Sequence, residues 1–157
     1  MSDDTTEGTA NGSTLQAPPG PSASVRALGR LVGTWRVTGG AAGTVRYEWM
    51  DGGYFLLQHL DLEQDGEPIR GLEVIGHLRS YGQGPSVDVH SRYYDSTGAT
   101  LDYVYEIDGD TLHIWMGEKG SPASFSGTFA DGDTVMVGAW QYPGGGGYDS
   151  TMVRLQP

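Results

Sequence analysis

Cysteine is absent from the 157 residues. That excludes disulfides, thiolate nucleophiles and cysteine-ligated metals. Cations are scarce: nine Lys and Arg stand against twenty Asp and Glu, a formal charge of -11. A nucleic-acid binder needs a basic footprint, and none is present. An anionic membrane surface would repel this chain. No apolar run approaches the roughly 20 residues of a membrane-spanning helix. The opening Met1-Ser2-Asp3-Asp4 lacks the basic and apolar regions of a signal peptide. The expectation is a cytoplasmic protein with neither nucleic acid nor membrane as a partner. Catalytic signatures are missing too. There is no Gly-x-Ser-x-Gly elbow and no Ser-His-Asp spacing. No pair of histidines sits at metal-ligand spacing with acidic helpers, so no metal site is expected.

What is present is strand after strand. Residues 1–23 are rich in Ser, Thr, Gly and Pro and cannot bury enough apolar surface to offset their ordering entropy, so a disordered tail is expected there. A single domain, 24–157, follows. Ser24 is a candidate N-cap for a short helix to Leu31, in which Val25, Leu28 and Leu31 form one apolar stripe. From Gly33 onward about ten strand candidates succeed one another. They span 33–38, 44–50, 54–63, 69–80, 86–94, 101–107, 111–116, 123–130, 134–142 and 148–156. Asp65-Gly66, Asp108-Gly109 and Asp131-Gly132 are hairpin signals, because glycine accepts the positive φ of tight turns. No connection is long enough for a helical crossover, so the strands form an antiparallel meander. So many strands in one sheet leave long edges unless the sheet closes. The fold class expected is all-β, a closed antiparallel up-and-down barrel with one N-terminal capping helix.

Gly33 and Trp35 in the first strand, with Arg154 in the last, carry a resemblance to the calycins, the superfamily of lipocalins, fatty-acid-binding proteins and nitrobindins. More closely the chain resembles a bacterial lipocalin-like family of undefined function. The matching motifs are Leu28-x-x-Leu31-Val32-Gly33-Thr34-Trp35, Gly52-Gly53-Tyr54-Phe55 and Gly71-Leu72-Glu73-Val74-Ile75-Gly76, within about 28–155. The resemblance implies that Trp35 packs beneath Arg154 and seals the barrel floor, a cation–π arrangement. It implies a cavity but no chemistry. Nitrobindins hold haem through a late histidine. Here the last histidine is His113, so haem is not expected, and Met116, Met136, Met152 or a tyrosine would be the remaining ligands.

Alternation along the strands assigns an interior. Tyr103 and Tyr105 oppose Asp102 and Glu106; Ile114 and Met116 oppose His113 and Trp115. A two-residue Asp108-Gly109 turn would pair Tyr105 with Leu112 and Tyr103 with Ile114. Val45, Tyr47 and Trp49, and Val89, Ser91 and Tyr93, fall on the same face. The Asp65-Gly66 hairpin has two registers. A bulged turn sets Leu56 and Leu60 beside Leu72 and Val74 and turns Glu73 and His77 outward. A two-residue turn places Glu73 beside Gln58 and turns Glu73 and His77 inward. The bulged register is favoured because it separates charge from apolar surface.

The ligand-binding candidates are therefore Tyr47, Trp49, Gln58, Leu60, Val74, Ser91, Tyr93, Tyr103, Tyr105, Ile114 and Met116. Such rings offer an apolar body with a polar handle, though they could equally fill a solid core. A small apolar or aromatic molecule is the expected partner. The alternative is a cofactor-independent cyclase or isomerase, with Glu73 and His77 as the acid–base candidates. A polar cluster of His59, Glu73, His77, His90 and Arg92 on three strands is a further possibility, against the plainer reading of solvated strand residues. A third reading is an interaction module with a packed core, in which Trp115, Trp140 and Met136 form an outward patch suited to a homodimer. The loop Gly144–Gly147 has no helix or lysine after it, so it is a rim loop and not a phosphate cradle.

Overall fold

The computed structural model describes residues 20–155. Most of the expected tail, residues 1–19, lies outside them. Helix α1 (Ala23–Ala27) is followed by a 3₁₀ turn, Leu28–Leu31. The N-cap is Ser22, not Ser24: its Oγ accepts from the Val25 N–H at 3.1 Å. Ser22 also meets His77 Nε2 at 2.8 Å, which ties the cap to the barrel. So short a helix has little intrinsic stability. It is held by burial of Val25, Leu28 and Leu31, all within 1 % of full burial, at about 1.5–3 kcal/mol each for the larger side chains.

Ten strands follow: β1 (Gly33–Gly39), β2 (Ala42–Trp49), β3 (Leu56–Gln64), β4 (Glu67–His77), β5 (Val89–Asp95), β6 (Thr100–Asp108), β7 (Thr111–Met116), β8 (Ser124–Ala130), β9 (Val135–Gln141) and β10 (Tyr148–Arg154). Each pairs antiparallel with its neighbour in sequence, and β1 pairs with β10. The sheet is a closed up-and-down barrel, as the pattern of strands and turns predicts.

Turn geometry fixes which residues face in. Asp65 and Gly66 have φ of 53° and 80°, the pair of positive values that a two-residue type I′ turn requires. Gln64 therefore pairs with Glu67, and Gln58 with Glu73. This overturns the bulged register favoured from sequence. Glu73 is buried, while Val74 turns outward beside Leu57 and Arg92 and Leu72 is exposed. Separation of charge from oil, the ground for the bulged register, yields here to the local preference of Asp-Gly for the tight turn.

Two other registers differ from expectation. The β6–β7 turn uses Gly109-Asp110, so Tyr105 faces Ile114 and Tyr103 faces Met116. A two-residue slip preserves the inward face. Between β8 and β9 a four-residue loop pairs Ala130 with Val135, Phe129 with Met136 and Phe125 with Trp140. Met136 and Trp140 consequently point inward. The outward patch expected of Trp115, Trp140 and Met136 does not form, and the homodimer it was to mediate loses two of its three residues. Trp115 itself stacks on His113, with Lys119 over its ring.

The helix end of the barrel is sealed. Arg154 Cζ lies 4.2 Å from the centroid of Trp35. Its guanidinium donates to the carbonyls of Val32, Arg30 (2.6 Å) and Asp133 (3.1 Å). Trp35 is fully buried, and its Nε1 donates to Leu31 O at 2.8 Å. Gly33 has φ 128°, and a Cβ there would stand 2.6 Å from Arg154 Nη1. The glycine of the Gly-x-Trp motif thus makes room for the arginine. Arg30 closes the adjoining sector, with its guanidinium 4.2 Å over Phe129 and ion pairs to Asp110 (2.8 Å) and Asp133 (2.9 Å). The outer faces of β3–β6 carry cross-strand charge pairs such as Arg92–Asp102 at 2.7 Å and Arg70–Asp61 at 3.4 Å. Among the described residues no helix is long and apolar enough to cross a membrane.

Replacing Arg154 by Met keeps the apolar stem over Trp35 and strands three carbonyls. Urea denaturation should show a loss of about 2–3 kcal/mol. Arg36→Met, on the exposed face of β1, should stay within about 0.5 kcal/mol of the parent. Equal stability of both variants would show that the Arg154 contacts do not hold the floor.

Candidate functional site

Inside the barrel lies a cavity of about 170 Å³, placed toward the end opposite α1. Five hairpin connections surround that end, and Gln64, Ile69, Tyr93 and Tyr148 stand near them. Its walls are mostly apolar: Val37, Ala41, Val45, Leu60, Leu62, Leu112, Ile114, Met136 and Met152 among others. Aromatic rings supply much of the rest. Trp140 sits 5.8 Å from Tyr103, 5.5 Å from Phe125 and 6.1 Å from Tyr142 between ring centroids.

Within this oily interior one rung is polar. Tyr47, Gln58, Glu73 and Tyr93 are consecutive register partners across β2, β3, β4 and β5. Gln58 Nε2 donates to the Tyr47 hydroxyl at 2.7 Å. Glu73 Oε2 accepts from Ser91 Oγ at 2.6 Å and from the Tyr105 hydroxyl at 2.8 Å. Glu73 is only 4 % exposed. Among the described residues lining the cavity it is the one that carries a formal charge. Burial pushes its carboxyl up to about 7, with the two hydroxyl donors pulling the other way. Burial, and then the Glu73 charge, push the Tyr47, Tyr103 and Tyr105 phenols upward, so all three are neutral at physiological pH. Tyr93 is raised by burial and by its 2.6 Å hydrogen bond to Asp95.

Of the candidates named from sequence, Tyr47, Gln58, Leu60, Tyr93, Tyr103, Tyr105 and Ile114 line the cavity together with Glu73. Ser91 reaches it through Glu73. Trp49 and Met116 pack against the core without lining the cavity, and Val74 is on the outer face. His77 is not a partner for Glu73. The two lie four residues apart on β4, about 13 Å along the strand. His77 instead bonds Ser22 and the Asp88 carbonyl at the sealed end. The polar cluster of His59, Glu73, His77, His90 and Arg92 does not assemble, because Glu73 faces in while His59 and Arg92 pair outside with Glu48 and Asp102. Among the described residues no group of three or more His, Asp or Glu could hold a metal ion.

The β8–β10 wall is absent from the ligand-binding candidates read from sequence: Phe125, Met136, Trp140, Tyr148, Ser150 and Met152. A signal for half of it exists in the sequence. Once Arg154 is set over Trp35, alternation carries Met152, Ser150 and Tyr148 inward.

No family model matches the chain, and no curated protein does. Among solved structures, a de novo designed fluorescence-activating β-barrel aligns with 82 % of this chain and 97 % of its own, at 15 % identity and a TM-score of 0.45.

The raised Glu73 carboxyl has a consequence for stability. Its folded value is near 7 and its ordinary value 4.5. Between those limits the folded state binds more proton than the unfolded one, so stability falls as pH rises through this window. Full expression of the shift would be about 3 kcal/mol. Urea denaturation from pH 4.5 to 8 should show that decline in the parent and its loss in Glu73→Gln, which should be the more stable protein at pH 8. Parallel pH profiles would show that Glu73 is not raised by burial.

Proposed function

We propose that this barrel is a calycin-like container that binds one small, largely apolar aromatic molecule. The observation that carries the reading is a closed barrel whose cavity is lined by aromatic and aliphatic side chains around a short polar rung. A cavity of about 150 Å³ in another protein holds benzene. At about 170 Å³, this one suits a ligand of one ring or a small bicycle. Gly33, with Trp35 beneath Arg154, supports the calycin likeness and gives the container a closed floor. Entry is then from the loop-rich end.

A second reading rests on Glu73. A carboxyl poised near neutrality can give or take a proton, which favours a cofactor-independent isomerase or cyclase with Glu73 alone in the acid–base role. That reading requires Glu73-dependent exchange of solvent deuterium into a co-purified molecule, abolished in Glu73→Gln. Its absence removes the enzyme and leaves the container.

Ligand-observed ¹⁹F NMR with 4-fluorotoluene tests the container. Binding should be saturable in the parent. Leu62→Trp, placed on the cavity wall, should weaken it at least tenfold. Val153→Trp, on an exposed position of β10, should not. Failure of the parent to bind, or equal binding by both variants, would overturn the reading.

A further inference from the structure

We infer that the cavity selects a ligand with one protonated nitrogen, such as an arylalkylamine, by pairing it with Glu73. This rests on the container reading and adds the chemical class of what is contained. The argument begins with charge. Glu73 is almost wholly buried, and neither Lys, Arg nor His stands among the described residues lining the cavity. A buried carboxylate without a counter-charge is costly. The protein supplies two hydroxyl donors, both to Oε2. Among the described residues, Oε1 has no hydrogen-bond partner. A ligand ammonium is the group that satisfies both the charge and that oxygen.

The aromatic lining points to the same class. Tyr47, Tyr103 and Trp140 line the cavity with Glu73. Aromatic faces attract a desolvated cation, and attract it most where water is excluded. An anion would meet the opposite: a carboxylate and, among the described residues lining the cavity, no cation. The net charge of -11 raises the local concentration of cations around the whole molecule. That effect is unspecific, so the test separates it from Glu73.

The groups facing Glu73 determine the pH dependence. They are the phenols of Tyr47 on β2, Tyr93 on β5, and Tyr103 and Tyr105 on β6, all raised and neutral. Beyond them are Asp95 and Tyr148. Burial works to raise Asp95, but hydrogen bonds from Thr97 and Tyr93 outweigh it and hold the carboxyl below its usual range. Tyr148 on β10 is pushed up to about 12 by burial. Asp95 stays ionised and these phenols stay neutral from pH 5.5 to 8. Glu73 is the group that changes charge in that interval.

The experiment compares 4-fluorobenzylamine with 4-fluorobenzyl alcohol, its neutral counterpart, by ¹⁹F NMR in 150 mM salt, with 4-fluorotoluene as the cavity control. The amine stays protonated throughout. At pH 8 the parent should bind amine at least tenfold tighter than alcohol. That ratio should fall toward one at pH 5.5 in the parent and at both pH values in Glu73→Gln. The pH series on the parent decides the matter even if the variant folds poorly. Alcohol binding as tightly as amine at pH 8, with 4-fluorotoluene also bound, overturns the charge selection and leaves the container. An amine preference unchanged in Glu73→Gln assigns it to the acidic surface and also overturns the inference. If none of the three probes binds, container and selection fall together.

Discussion

Parity along a strand is the constraint on which this interior depends. Successive side chains alternate faces, so a hairpin turn of even or odd length decides the contents of a whole strand. At Asp65-Gly66 the backbone takes two positive φ angles. That choice sends Glu73 inward and Val74 outward along β4. Burying a carboxyl costs several kcal/mol if it is left unsupported. Ser91 and Tyr105 offset part of the cost by donating to it, and proton uptake offsets more. The polar rung across β2–β5 is the organised result of a turn that local sequence would form on its own.

The two ends of the barrel are built differently, and the difference gives the cavity a direction. At the α1 end, Trp35, Arg154, Arg30 and the helix side chains fill the opening, and each charged head finds backbone carbonyls or acids. Toward the other end the strands are joined by hairpins of small and polar residues, and the rings of Tyr93, Trp140 and Tyr148 stand around the open volume. Ion pairs, cation–π contacts and buried aliphatics tie one end together, and the cavity lies toward the other. Glu73 stands between the two regimes, deep enough to be desolvated and still on the cavity wall.

Much of this is legible from residue order alone. Glycine and aspartate at the turns, alternation in Tyr103–Tyr105 and Leu112–Ile114, and the Gly33-x-Trp35 opening lead to a closed meander and its inner face. They do so because each is a local signal. Two features are not local. One is the register at Asp65-Gly66, where hydrophobic patterning and turn chemistry pull in opposite directions. Patterning favours Glu73 outside, and the turn places it inside. The other is the β8–β9 wall. Val135 to Trp140 is apolar on both faces, so a period of two cannot tell inside from outside. Pairing of Phe129 with Met136 and of Phe125 with Trp140 settles both partners inward. His77 illustrates a third limit. Its inward parity is correct for the two-residue turn, but strand length carries it to the sealed end, away from the cavity.

Pairing of β1 with β10 makes the sheet a ring in which every other contact is between sequence neighbours. A ring of this kind has no privileged first strand. Strand β1 begins where β10 finishes, at the Trp35–Arg154 pair, so the ends of the cylinder's chain are already side by side. The order in which the polypeptide visits the strands is therefore a matter of where it happens to be cut. A circularly permuted chain, joined near the floor and opened within the glycines 144–147, would retain every rung of the barrel and the same enclosed space.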